Sequence, residues 1–149
     1  MPVTAAFEHF EADTDIGVIG RGPTLSAAFA QTALGVFALL VNLAAIQEHE
    51  VREVRAHGAS LESLLVNWLN ECLYVHDVEG VVARRVEFAT FDLSPGHGGE
   101  PHRLHSFLYG EEVDPSRHHA GLALKAARLN GAAVKETAEG FETRVILEM

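Results

Sequence analysis

The sequence predicts an α+β fold: a mixed, largely antiparallel sheet with two helices packed on one face. Two segments, beginning at Leu25 and Leu61, place apolar residues at the 3.6-residue spacing of amphipathic helices. The second half of the chain alternates like β-strands, and consecutive strands favour an antiparallel meander. Strands and helices that occur in separate runs are typical of α+β proteins.

The overall composition indicates a single soluble domain over residues 1–149, a usual length for one domain. The formal net charge is -10, from 21 acidic against 11 basic residues, which argues against a large basic surface. Strong direct binding to nucleic acid is therefore not expected. The single cysteine, Cys72, is typical of a reducing compartment. The first residues lack the pattern of a signal peptide, so we expect a cytoplasmic protein.

The N-terminal segment from Phe7 to Val18 carries Glu11, Asp13 and Asp15 on every second residue. If this segment is one strand, the three carboxylates share a face and repel each other. A hard cation such as Ca²⁺ or Mg²⁺ binds oxygen ligands and would relieve that repulsion. Asp-Thr-Asp is also common in β-turns, where the acids are solvated, and both interpretations stay open.

The first helix begins after Gly22 and Pro23, with Thr24 as its N-cap. The apolar run over residues 27–46 is long enough to cross a bilayer. Polar residues interrupt it and no basic anchor flanks it, so we expect a buried helix and no membrane association.

The second helix follows an edge strand over 51–56 and begins after Ser60. Its apolar stripe consists of Leu61, Leu64, Leu65, Trp68, Leu69, Cys72 and Leu73. Because Trp68 and Cys72 belong to this stripe, both are predicted to be core residues, and Cys72 is not a candidate nucleophile. A turn is expected over 77–80.

The later strands are expected over 81–93, 103–109, 122–129, 133–137 and 141–149. The alternation changes phase within 81–93, which indicates a β-bulge or a strand buried on both faces. Residues 94–101 are rich in Gly and Pro and predict a loop. Asn130-Gly131 is a strong signal for a hairpin between the strands on either side of it.

Neither a catalytic residue nor a cofactor-binding residue is predicted. His97, His102 and His105 are close in sequence, but the last two fall on opposite faces of a strand, and no cysteine completes a zinc site. Nucleophile elbows and phosphate-binding glycine loops are absent from the sequence. A metal-dependent hydrolase that uses Asp13, Asp15 and a histidine is the weakest alternative.

The first and last strands supply the candidate metal ligands. If these strands are neighbours, Asp15, Glu148 and the terminal carboxylate of Met149 can share one divalent cation, with Asp13 close by in the chain. The sequence therefore predicts a Ca²⁺ or Mg²⁺ site built from oxygen atoms.

Four groups of motif residues follow one another along nearly the whole chain: Phe7, Glu8, Asp15, Ile16 and Gly17, then Gly22, Thr24, Leu25, Ala28 and Phe29, then Leu64, Leu65, Trp68, Leu69, Asn70 and Glu71, and finally Tyr109, Gly110, Glu111, Asp114, Arg117, His118, Lys125 and Ala126. In this order and spacing they resemble the archease family. The chain departs from the family pattern at Ala12, at residues 128–130 and at Glu148, where the family has Asp.

The resemblance implies a single archease-like domain with a non-enzymatic, accessory role. Archeases help an RtcB-type RNA ligase to reach its guanylylated state and to turn over in tRNA splicing and RNA repair. The family binds a divalent cation through residues that correspond to Asp15 and Glu148, and the longer Glu148 side chain implies weak binding. The alternative is a chaperone-like modulator of an RNA-modifying enzyme such as a tRNA methyltransferase.

Overall fold

The computed structural model describes residues 6–93 and 101–149. Its elements are β1 (Phe7–Ala12), β2 (Asp15–Gly22), α1 (Leu25–Leu40), a 3-10 turn (Leu43–Ala45), β3 (Glu50–Gly58), α2 (Leu61–Glu79), β4 (Val81–Asp92), β5 (His102–Glu112), α3 (Pro115–His118), β6 (Ala126–Thr137) and β7 (Gly140–Glu148). The α+β prediction is confirmed.

The strands form two sheets, in the orders β1-β2-β7-β6 and β3-β5-β4. Within each sheet, every pair of neighbouring strands is antiparallel. The predicted sheet is thus divided in two, and each long helix contacts both parts: α1 packs on β2, β7 and β4, and α2 packs on β3 and β6. The predicted edge position of β3 is confirmed.

Side-chain caps fix where the two long helices begin. Thr24 Oγ1 accepts a hydrogen bond from the Ala27 N–H at 3.1 Å, and Ser60 forms a capping box with Ser63. Gly80 ends α2 in the left-handed conformation, with φ of 70°, so the helix extends through most of the predicted 77–80 turn. In the described part of the chain, no helix has the length and hydropathy needed to span a membrane.

The core is centred on Trp68, which is fully buried as predicted. Its ring lies 6.1 Å from that of Phe29 and 5.2 Å from that of Phe88, measured between centroids. Cys72 is buried beside it on the same helical stripe. Burial raises the pKa of the Cys72 thiol well above its ordinary value, which keeps this sulfur protonated and unreactive.

The later strands correct one prediction and confirm another. The prediction of a hairpin at Asn130-Gly131 is wrong. Strand β6 runs through these residues, and its register against β7 shifts between Arg128 and Ala133. Gly131 has φ of 92°, a conformation that a bulge needs as much as a hairpin turn does. The bulge expected in β4 is confirmed by two register shifts. Most of the predicted 94–101 loop lies outside the described residues.

Candidate functional site

The N-terminal acids lie in a hairpin, so the one-strand interpretation of Glu11, Asp13 and Asp15 is wrong; the predicted turn is confirmed, but Asp15 is partly buried and not solvated as that interpretation expected. The chain reverses at residues 13–14, and Ala12 pairs with Asp15. Asp13 is exposed in the turn, with φ of 57°, a conformation that Asp tolerates better than most residues. A role for Asp13 as a metal ligand stays a prediction.

Strands β2 and β7 pair side by side, with Ile16 opposite Leu147. In this antiparallel register the next pair is Asp15 and Glu148, at the rim of the four-stranded sheet and on its outer face. The Met149 N–H lies 3.4 Å from Asp15 Oδ1. The structure therefore brings Asp15, Glu148 and Met149 together, while cation binding by them stays a prediction.

A third strand contributes Arg128, which the sequence analysis did not place here. Arg128 lies on β6 opposite Ile146, and its guanidinium reaches across β7 to β2. Arg128 Nη1 donates to Asp15 Oδ2 at 2.9 Å. The Asp15 side chain is 17% exposed and that of Arg128 is 35% exposed. The predicted cation site thus already contains a positively charged side chain, that of Arg128.

The donor set fits a hard cation only in part. Asp15 and Glu148 offer carboxylate oxygens and Met149 a main-chain oxygen, whereas Ca²⁺ usually takes six to eight oxygens, including water. Within residues 6–93 and 101–149, no group of three or more His, Cys, Asp or Glu residues is placed to hold a metal ion. Since Arg128 occupies Asp15 Oδ2, these residues fit a cation only when Arg128 moves away.

Helix α2 braces the strand that carries Arg128. Asn70 Nδ2 donates to the Ala127 carbonyl at 3.0 Å, and the Ala127 N–H donates to Asn70 Oδ1 at 2.7 Å. The Lys125 N–H donates to the Glu148 carbonyl at 2.7 Å. These bonds fix the start of β6 against both α2 and β7. The position of Arg128 along the rim is therefore set by the main chain.

A second polar cluster surrounds Glu111, which is 5% exposed. Its carboxylate accepts from Arg117 Nη2 at 2.6 Å and from the Gln47 N–H at 2.6 Å, and it lies 2.9 Å from His118 Nε2. Hydrogen bonds from Arg117 are the main cause that lowers the pKa of Glu111 well below its ordinary value. Arg117 also donates to the Ala45 carbonyl. This cluster ties β5 and α3 to the 3-10 turn, and we interpret it as structural.

The histidines on β5 show no zinc arrangement among the described residues. His105 faces Glu53 on the outer side of the three-stranded sheet, with Nε2 2.5 Å from the carboxylate. A shallow cleft of about 310 Å³ lies there, lined partly by Arg55, His57 and Arg103. Since Arg55 also pairs with Glu53, the positive charge of this cleft is partly neutralised. His97 lies outside the described residues.

Comparison with known proteins decides which family these features represent. The model of the Archease protein family (MTH1598/TM1083) matches residues 7–149. The chain belongs to the archease family. It is 36% identical over 134 residues to protein archease of Pyrococcus abyssi, covering 90% of this chain and 91% of the relative. It is 27% identical over 146 residues to the archease-like protein of Drosophila melanogaster, covering 96% of this chain and 90% of the relative.

A solved archease-family fold matches the architecture. The solution structure of Methanobacterium thermoautotrophicum protein 1598 superposes with a TM-score of 0.77 at 25% identity. The match covers 97% of this chain and 99% of that protein. Archease membership supports an accessory role in tRNA processing.

Proposed function

We propose that this archease is a non-enzymatic accessory protein that promotes the guanylylation and turnover of an RtcB-type RNA ligase in tRNA splicing and RNA repair. The family match over residues 7–149 is the observation that carries this proposal. Cys72 is buried and its pKa is raised, so it offers no thiolate nucleophile, which is in keeping with an accessory role. The proposal includes a cytoplasmic location, as the sequence analysis expects.

An accessory protein can promote guanylylation only by binding one ligase conformation more tightly than another. A ligase conformer that accepts the guanylate is then populated more often, and the chemistry stays with the ligase. The formal net charge of -10 suits contact with a basic surface on that partner protein.

We propose that the rim formed by β2 and β7 binds the cation and contacts the ligase. Asp15, Glu148 and a main-chain oxygen of Met149 would hold a Ca²⁺ or Mg²⁺ ion there once Arg128 has left Asp15, with Asp13 in the adjacent turn. Such an ion would link the hairpin turn to the last strand and supply a positive charge at the rim. The extra methylene of Glu148 relative to Asp makes the binding weak.

The Asp15→Asn variant is expected to lose most of its stimulation of the ligase. The substitution keeps the side-chain volume but removes the charge that faces Glu148, Arg128 and Met149. Ligation by catalytic amounts of the RtcB-type ligase from the same organism is measured with and without each protein. We expect stimulation to fall about tenfold, equivalent to about 1.4 kcal/mol of lost coupling.

Glu139→Gln is the matched control, because Glu139 is an exposed acid in the turn at the opposite end of β7. This control should stimulate the ligase as well as the wild type does. If wild-type protein leaves multiple-turnover ligation unchanged, the ligase proposal is contradicted. Recovery of a tRNA methyltransferase in place of the ligase in a pull-down would favour the chaperone-like alternative.

A further inference from the structure

The carboxylate of Asp15 already has a cationic partner within the chain. Arg128 Nη1 lies 2.9 Å from Asp15 Oδ2, at the rim where Glu148 is the next residue in register. Asp15 Oδ1 faces the Met149 N–H at 3.4 Å. Both oxygens of the side chain therefore have a partner, one on β6 and one just after the end of β7.

The Arg128 guanidinium makes only part of the hydrogen bonds that it could make at this rim. Its Nε atom is buried, and within the described residues it has no hydrogen-bond partner. A buried N–H without a partner disfavours the arrangement that contains it. The Arg128 side chain is also 35% exposed, so solvent lies next to the position it occupies. The ion pair with Asp15 is thus one that a competing ligand can displace.

We infer that Arg128 competes with a divalent cation for Asp15. This inference rests on the cation site proposed above. An oxygen that accepts a hydrogen bond from a guanidinium cannot ligate a metal ion along the same direction, and two positive centres at one carboxylate repel each other. The apparent affinity for the cation is therefore reduced by the fraction of molecules in which Arg128 has withdrawn.

Because of this competition, cation binding determines where the positive charge of Arg128 lies at the rim. When the cation binds, Arg128 is released from Asp15 and presents its guanidinium on the outer face of β6. When the cation leaves, Arg128 returns and neutralises Asp15. The rim thus has two states that differ in where a positive side chain is placed, and the cation concentration selects between them.

Arg128→Gln is the direct test, with Ca²⁺ alone as the probe and isothermal titration calorimetry as the measurement. We expect this variant to bind Ca²⁺ about tenfold or more tightly than the wild type. Adding Asp15→Asn to it should abolish the gain. Arg128→Lys keeps the positive charge and should bind as weakly as the wild type. Ca²⁺-dependent shifts in melting temperature should follow the same order.

Arg144→Gln is the matched control, since it removes one positive charge from the same sheet face at a residue that stacks on Phe10. It should leave Ca²⁺ affinity near the wild-type value. Equal affinities for wild type and Arg128→Gln, both lost with Asp15→Asn, would overturn the competition and leave the cation site standing. If neither protein binds millimolar Ca²⁺, the cation site fails and the competition fails with it. The ligase role is measured separately.

Discussion

Replacing Trp68 with alanine is expected to lower the free energy of unfolding by about 3–5 kcal/mol. Trp68 is fully buried and stacks with Phe29. Its Nε1 donates to Ser106 Oγ at 2.9 Å, and that hydroxyl donates to the Val54 carbonyl at 2.8 Å. The substitution therefore leaves a large cavity and removes a link from α2 to two strands.

Urea unfolding followed by circular dichroism measures this effect, with Tyr74→Ala as the control. Tyr74 lies on the same helix but is 61% exposed, so its loss should change stability by about 0.5 kcal/mol or less. A Trp68→Ala protein with the wild-type unfolding midpoint would contradict the assignment of Trp68 to the centre of the core.

Replacing Glu111 with alanine is expected to lower the free energy of unfolding by about 1–3 kcal/mol, because buried hydrogen-bond partners of its carboxylate are left unsatisfied while Arg117, 38% exposed, can turn to solvent. The change leaves His118 and the Gln47 N–H without their carboxylate partner. Arg117 loses its bidentate contact and keeps the Ala45 carbonyl. The 3-10 turn is then no longer fastened to β5.

The Glu111 cluster also predicts a pH dependence. The folded-state pKa of Glu111 is lowered from an ordinary value of 4.5, so its stabilisation is present above that pH and is lost as the pH falls towards the folded pKa. Unfolding midpoints measured from pH 6 down to about 3 should fall more steeply for wild type than for Glu111→Ala. Glu112→Ala, at the exposed neighbour, should behave as wild type. Parallel pH profiles for wild type and Glu111→Ala would contradict a lowered pKa for the buried Glu111 carboxylate.

Elements whose sequence signal is local could be predicted from the sequence. The stripe around Trp68 predicted the buried face of α2, because helical spacing and burial on one side are encoded within a few turns. In the sequence analysis, the pairing of the first and last strands was a condition for a shared cation site, and β2 does pair with β7.

Features that depend on pairing between distant segments were missed. Asn130-Gly131 has the same local chemistry in a bulge as in a hairpin turn, and only the continuous partner β7 distinguishes the two. Because that error divided β6 into two strands, Arg128 was not placed near Asp15. An arginine on a strand does not by itself show which neighbouring strand its side chain reaches.

Incorporation of labelled guanylate into the RtcB-type ligase is the most direct test of the proposed function. Purified ligase is incubated with labelled GTP, with and without this archease, and the covalently guanylylated fraction is followed over time. The proposal predicts faster labelling and a higher final fraction with wild-type archease, and a reduced gain with Asp15→Asn. Labelling that is identical with and without the wild-type protein would contradict it.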